Sequence, residues 1–231
     1  MQAPRLRVGV FSDSSNFLTL GEDLASVGHQ VRFLDAPREI NDYELIVIDV
    51  KGVETCVEEL SAFVRQGQMF LLASMVHSIT VLDPLEIAGG IVMSAYPLGH
   101  DRWVASSVDE LGETIVGLLV GELGGSVIEV DESQRQQLAA ALTYAGFMNT
   151  LRNDAMYFLD EFLGDIEVAT DIVNDAKGNY HALLDLEALT AQYDAISNPG
   201  RKRLFRDLAR RKAEISRAQD VELWAIQKED R

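Results

Sequence analysis

Short apolar runs alternate with helix-length amphipathic segments through the first half of the chain. The runs fall at 6–11, 31–34, 45–50, 69–73, 91–95, 103–105 and 127–130, with helical patterns at 17–27, 54–65 and 108–122 between several of them. Runs this short, nearly continuous in apolar residues and separated by helices, read as parallel strands covered on both faces. Right-handed crossovers then wind helices onto the two sides of an open sheet, a doubly wound α/β domain over residues 1–131. Beyond Asp131 the period changes. Leu138, Leu142, Ala145, Met148, Leu151, Ala155, Leu159 and Phe162 recur at spacings of three and four, which predicts one long helix with a single apolar face. Gly164, Gly178 and the Asn198-Pro199-Gly200 break divide the remainder into further helices, so residues 132–231 read as an all-helical domain.

Composition adds little to the fold and more to the function. The 231 residues contain one cysteine, Cys56, which excludes an intrachain disulfide and fits a reducing compartment. No signal-peptide pattern opens the chain, and no apolar stretch nears the roughly 20 residues that span a bilayer. A cytoplasmic protein without a membrane partner is expected. The net charge is −17, although residues 201–231 carry ten Lys/Arg against six Asp/Glu. The rest of the chain is strongly acidic and repels phosphate backbones, which argues against nucleic acid as a partner.

A Rossmann-type domain binds the pyrophosphate of NAD or NADP at the turn from the first strand to the first helix. Three glycines there permit the turn, the approach of phosphate and close helix packing. Counted back from Gly28 and His29, those three positions fall on Ser12, Ser14 and Phe17, and none is glycine. Either the loop Ser12, Asp13, Ser14, Ser15 and Asn16 offers hydroxyls and amides to a phosphate or smaller anion, or these residues only cap the helix. Asp13 adds a negative charge to that loop. Asp35, ending the second strand, stands where an acid meets the ribose 2′-hydroxyl, and Arg38 could serve a 2′-phosphate; an acid at a strand end is equally an ordinary turn residue.

From residue 69 to about 163 a series of motifs occurs in order: SMVHS at 74–78, VLDPL at 81–85, Gly89, YPLG at 96–99, LGG at 123–125 and RQQLAAALTYAGFMN at 135–149. This series resembles an uncharacterised family of Rossmann proteins whose helical C-terminal domain is similar to that of 6-phosphogluconate dehydrogenase. Pyrroline-5-carboxylate reductase, ketopantoate reductase and prephenate dehydrogenase are its broader kin. The resemblance implies an NAD(P)-dependent oxidoreductase-like protein acting on a small carbonyl, imine or hydroxy-acid metabolite. It also implies a homodimer joined through the helical domain, a substrate site between the domains, and Ser74 among the cofactor contacts. The chain departs from the family's pattern at Tyr96-Pro97, where the family carries His-Pro, and after His77, where it carries Thr-Ser-Gly.

His77, just past the fourth strand, is a candidate general acid for reduction of a carbonyl or imine, or a hydrogen-bonded structural histidine. Asn149 could orient a substrate carbonyl or lie in a helix contact. Tyr96, a weaker catalytic candidate, and His100 flank an expected turn at 97–99. No metal site is expected, because His29, His77, His100 and His181 are scattered. A non-catalytic relative that binds a small anion or a protein partner stands beside the reductase reading, since a fold does not fix an activity. One further expectation concerns charge. Glu167, Asp171 and Asp175 form an acidic stripe and Arg203, Arg206, Arg210 and Arg217 a basic one, and the two are expected to meet within one subunit or across a dimer.

Overall fold

The computed structural model describes residues 5–13, 19–99, 101–179 and 185–229. Ser14, Ser15, Asn16 and Phe17 of the expected phosphate loop, and His100 and His181, lie outside the described residues. The chain divides into two compact units, residues 1–147 and 148–231.

In the first unit every predicted apolar run is a strand: β1 (Arg7–Ser12), β2 (Gln30–Phe33), β3 (Leu45–Asp49), β4 (Met69–Leu72), β5 (Ile91–Gly99), β6 (Arg102–Ser107) and β7 (Ser126–Ile128). They form one sheet in the order β2-β1-β3-β4-β5-β6-β7. β1 to β5 run parallel, β6 lies antiparallel to β5, and β7 is parallel to β6. The helices are α1 (Thr19–Ser26), α2 (Val53–Ser61), the short α3 (Asp83–Ile87) and α4 (Glu110–Glu122).

Strand periodicity explains why the runs are apolar throughout. Ile46 and Ile48 of β3 join Val53, Val57 and Leu60 of α2 in one core, while Leu45 and Val47 join Leu20, Leu24, Val116, Leu119 and Val120 in the other. Successive side chains point to opposite faces, so a sheet covered on both sides needs an apolar residue at every position. Gly28 follows α1 with φ +103°, a conformation that glycine adopts without a Cβ penalty, and the chain turns there into β2. Asp109 starts α4 by accepting the Gly112 amide at 2.7 Å.

One local expectation fails. Tyr96 and Pro97 do not flank or form a turn; they belong to β5 and pair with Val104 and Trp103 of β6. The antiparallel neighbour extends β5 to nine residues, and the missing proline N–H is accommodated at a register shift between Pro97 and Gly99.

The second half is helical, as its period predicts. The long helix α5 (Arg135–Leu163) begins in the first unit, and α6 (Ile166–Asn179), α7 (Leu186–Ala195), α8 (Pro199–Ser216) and α9 (Gln219–Gln227) come after it. Leu189, Ala209, Ala213, Val221, Trp224 and Ala225 make a small core among α7, α8 and α9. Trp224 donates its indole N–H to Thr190 Oγ1 at 2.9 Å, which satisfies the polar end of a buried ring. Asn198 caps α8, accepting the amides of Gly200 and Arg201. Arg201 then binds Asp154 and Glu161 of α5 and lies over the Phe158 ring. Farther along α8, Arg206 pairs with Asp207, and Arg210 with Glu214 and Glu229. Among the described residues, Arg206 and Arg210 of the basic stripe thus find their acids on α8 and near the end of the chain rather than on the acidic stripe of α6.

Candidate functional site

The carboxyl ends of β1, β3 and β4 lie side by side, at the point where the strand order reverses between β1 and β3. In open α/β sheets this crevice is where ligands bind. Parallel register sets Ser12 directly beside Asp49. Their side chains are hydrogen bonded, so the hydroxyl at the first fingerprint position is already engaged by a carboxylate. Asp13 comes next, its backbone N–H donating to the Asp49 carbonyl at 3.3 Å and its Oδ2 accepting the Lys51 amide at 2.7 Å. Burial pushes the Asp49 carboxyl above the usual range; the Ser12 hydrogen bond opposes that rise and the charge of Asp13 adds to it. The same field reaches α2. The Cys56 thiol is pushed up to about 11, first by burial and then by the charges of Glu59 and Asp13.

This corner suits a pyrophosphate poorly. A dinucleotide in the ordinary Rossmann position would bring two phosphate charges toward Asp13 and Asp49. The recess bounded by Val10, Ser12, Leu20, Gly21, Phe33, Val47 and Asp49 has a cavity volume of about 10 Å³. The Phe33 ring, at the end of β2, forms one of its walls.

A second group sits past β4. Ser74 Oγ lies 2.9 Å from His77 Nδ1 and accepts the amides of Val76 and His77 at 3.2 and 3.4 Å. With those amides directed at it, the hydroxyl has its own proton to donate to Nδ1. The tautomer that suits this arrangement carries its hydrogen on Nε2, which lies 4.0 Å from Glu54 Oε1. A half-buried imidazole with an N–H at the mouth of the crevice can hydrogen bond to a ligand oxygen or hand it a proton.

Behind this loop stands a side chain that the sequence marks only as the start of the 135–149 motif. Arg135 opens α5 yet is only 2% exposed. Its guanidinium bonds Glu132 at 3.0 Å, the Ser74 carbonyl at 3.1 Å, and the hydroxyls of Ser94 and Ser106, each at 2.7 Å. Glu132 in turn accepts the Ile79 amide at 3.1 Å.

Within the first unit, Asp35, Arg38 and Tyr96 do not join these groups. Asp35 and Arg38 are exposed beyond the end of β2, Arg38 in a 3-10 turn over Pro37–Asp42. Tyr96 is half-buried within β5, and Asn149 is exposed on α5 in the second unit. Glu54 and Glu132 carry no marked signal in the sequence, and Arg135 only that of opening the 135–149 motif. Asp49 does carry one, as the single charge within an otherwise apolar run. Among the described residues no cluster of His, Cys, Asp and Glu is arranged to hold a metal ion, and no helix is long and apolar enough to cross a membrane.

Residues 131–228 match the family model described as 6-phosphogluconate dehydrogenase C-terminal domain-like. No curated protein sequence matches the chain. Among solved structures, a protein of Bacteroides fragilis named as an NADP oxidoreductase superposes with a TM-score of 0.68 at 14% identity, over 88% of this chain and 96% of that one. The pyrroline carboxylate reductase of Plasmodium falciparum, solved with NADP bound, gives 0.55 at 11% identity over 96% and 95%. The 3-hydroxyisobutyrate dehydrogenase of Mycobacterium tuberculosis gives 0.52 at 16% identity over 77% and 72%. The chain therefore joins a Rossmann-type domain to a 6-phosphogluconate dehydrogenase-like helical domain, a fold shared with these solved structures.

Proposed function

We propose that this protein is an oxidoreductase-type scaffold that has given up the ordinary dinucleotide mode and serves to bind a protein partner, or a small anion away from the Asp13–Asp49 corner. The observation that carries this reading is the placement of Asp13 and the Ser12–Asp49 pair where the pyrophosphate would lie. The chain forms a homodimer through its helical half. In support, Met148, Leu151 and Phe162, spaced along α5, are 65%, 36% and 76% exposed, an apolar stripe that a second copy would cover. Fluorescence titration with NADPH and NADH tests the loss of dinucleotide binding. The expected outcome is an unchanged emission spectrum up to millimolar nucleotide, and a saturable blue shift would refute it.

A second reading is favoured by the Ser74–His77–Glu54 group. In it the protein is an NAD(P)-dependent oxidoreductase for a small carbonyl, imine or hydroxy acid, with His77 as the group that protonates or holds the substrate oxygen. Nucleotide consumption with a panel of small oxo acids and cyclic imines, lost in His77→Ala, would establish this reading in place of the first.

A further inference from the structure

We infer that the Glu132–Arg135 ion pair is a latch that positions the His77 loop by tying it to the first turn of the long helix. Both ends of the loop are held, and by the two halves of one pair. Arg135 takes the carbonyl of Ser74, where the loop leaves β4, and Glu132 takes the amide of Ile79, where the loop enters its 3-10 turn. Between these two points lie Val76 and His77, whose amides converge on Ser74 Oγ. A displacement of Ser74 would therefore carry the imidazole with it.

The latch is built for fixed geometry. Arg135 is almost fully buried and spreads its donors over four acceptors: on the loop after β4, on β5, on β6 and on the residues before α5. A planar guanidinium can satisfy such a set from one position, whereas an ammonium on a flexible stem cannot. The Ser94 and Ser106 hydroxyls also bond each other at 2.8 Å, which fixes the floor on which the guanidinium rests. Well-packed apolar residues often replace a buried ion pair with no loss of stability. What the polar network adds is registration: the helix start, two neighbouring strands and the His77 loop can be in place only together. The loop position then reports the docking of the α5 start, whatever the crevice binds.

The test uses the full chain and two readouts that a general loss of stability would not move together. In Arg135→Lys, amide exchange at Val76, His77 and Ile79 is expected to quicken by at least about tenfold while amides of β1 and β3 keep their protection. The His77 ring nitrogen shifts are expected to move toward those of a mixture of tautomers. Glu132→Gln keeps an oxygen for the Ile79 amide, so it should show the same signature more weakly. His29→Ala, which weakens the same unit at the opposite end of the sheet, should leave residues 74–79 and the His77 ring as they are. The latch is overturned if Arg135→Lys and Glu132→Gln lower the melting temperature with wild-type exchange and ring shifts at 74–79. It is equally overturned if His29→Ala disturbs that loop as much as they do.

Discussion

Asp49 carries its charge at a cost to the fold. Burial raises its carboxyl above the ordinary 3.8, and the neighbouring Asp13 raises it further against the pull of Ser12. A carboxyl whose folded value is raised favours the native state fully only below its unfolded value, and that contribution is lost as pH rises through the folded value. Asp49→Asn should therefore raise the melting temperature at pH 7. The gain should shrink as pH falls toward 4, and a difference independent of pH would count against the assignment. Cys56 offers a second check on the same field. With its thiol pushed up to about 11, its alkylation at pH 7.5 should run at least about tenfold slower than that of a free thiol. Half of this corner is legible in the sequence: the absent glycines and Asp13 can be read from the spacing before Gly28. The pairing of Ser12 with Asp49 cannot be, because it depends on the register of β1 against β3.

Elements are legible wherever one period dominates. The seven strands and the long helix follow from runs of apolar residues and from spacings of three and four. Tyr96 and Pro97 mislead because proline and glycine suggest a turn, whereas pairing with β6 carries β5 through them. Arg135 is hidden for the opposite reason. A charged residue at a helix start reads as solvated until β5, β6 and the loop after β4 are seen to close over it. Its partner titrates with the sign opposite to that of Asp49. Burial alone would raise Glu132, but the Arg135 hydrogen bond, the Ile79 amide and the charge of Arg135 together hold it below the ordinary 4.5. Its contribution is present above that unfolded value and lost as pH falls through the lower, folded one. Wild-type stability should therefore drop across that window, whereas Glu132→Gln should stay flatter there; parallel curves would count against the pairing. At the other end of the sheet, buried His29 accepts the Leu6 amide at 3.1 Å and bonds Glu122 at 3.0 Å. His29→Ala strands that amide and should cost about 2 kcal/mol by denaturant unfolding. Gly125 of the LGG motif is also explained, since a Cβ there would run into the Trp103 ring.

For the molecule as a whole, a Rossmann-type domain and a 6-phosphogluconate dehydrogenase-like helical domain are joined in one chain, with Asp13 and Asp49 at the switch point of the sheet. Assembly belongs to this scale. If α5 carries the dimer, Met148→Asp should convert the sedimenting species from dimer to monomer at micromolar concentration, leaving the helical signal intact; an unchanged dimer would move the interface elsewhere. The proposed loss of dinucleotide binding rests on like charge at Asp13 and Asp49, which would oppose a pyrophosphate in the crevice. Isothermal titration of NADPH into the wild type and into the Asp13→Asn/Asp49→Asn variant separates charge from every other cause. The wild type should give no heat at millimolar nucleotide, and binding should become measurable once both charges are removed. Micromolar binding by the wild type would contradict the proposed loss outright.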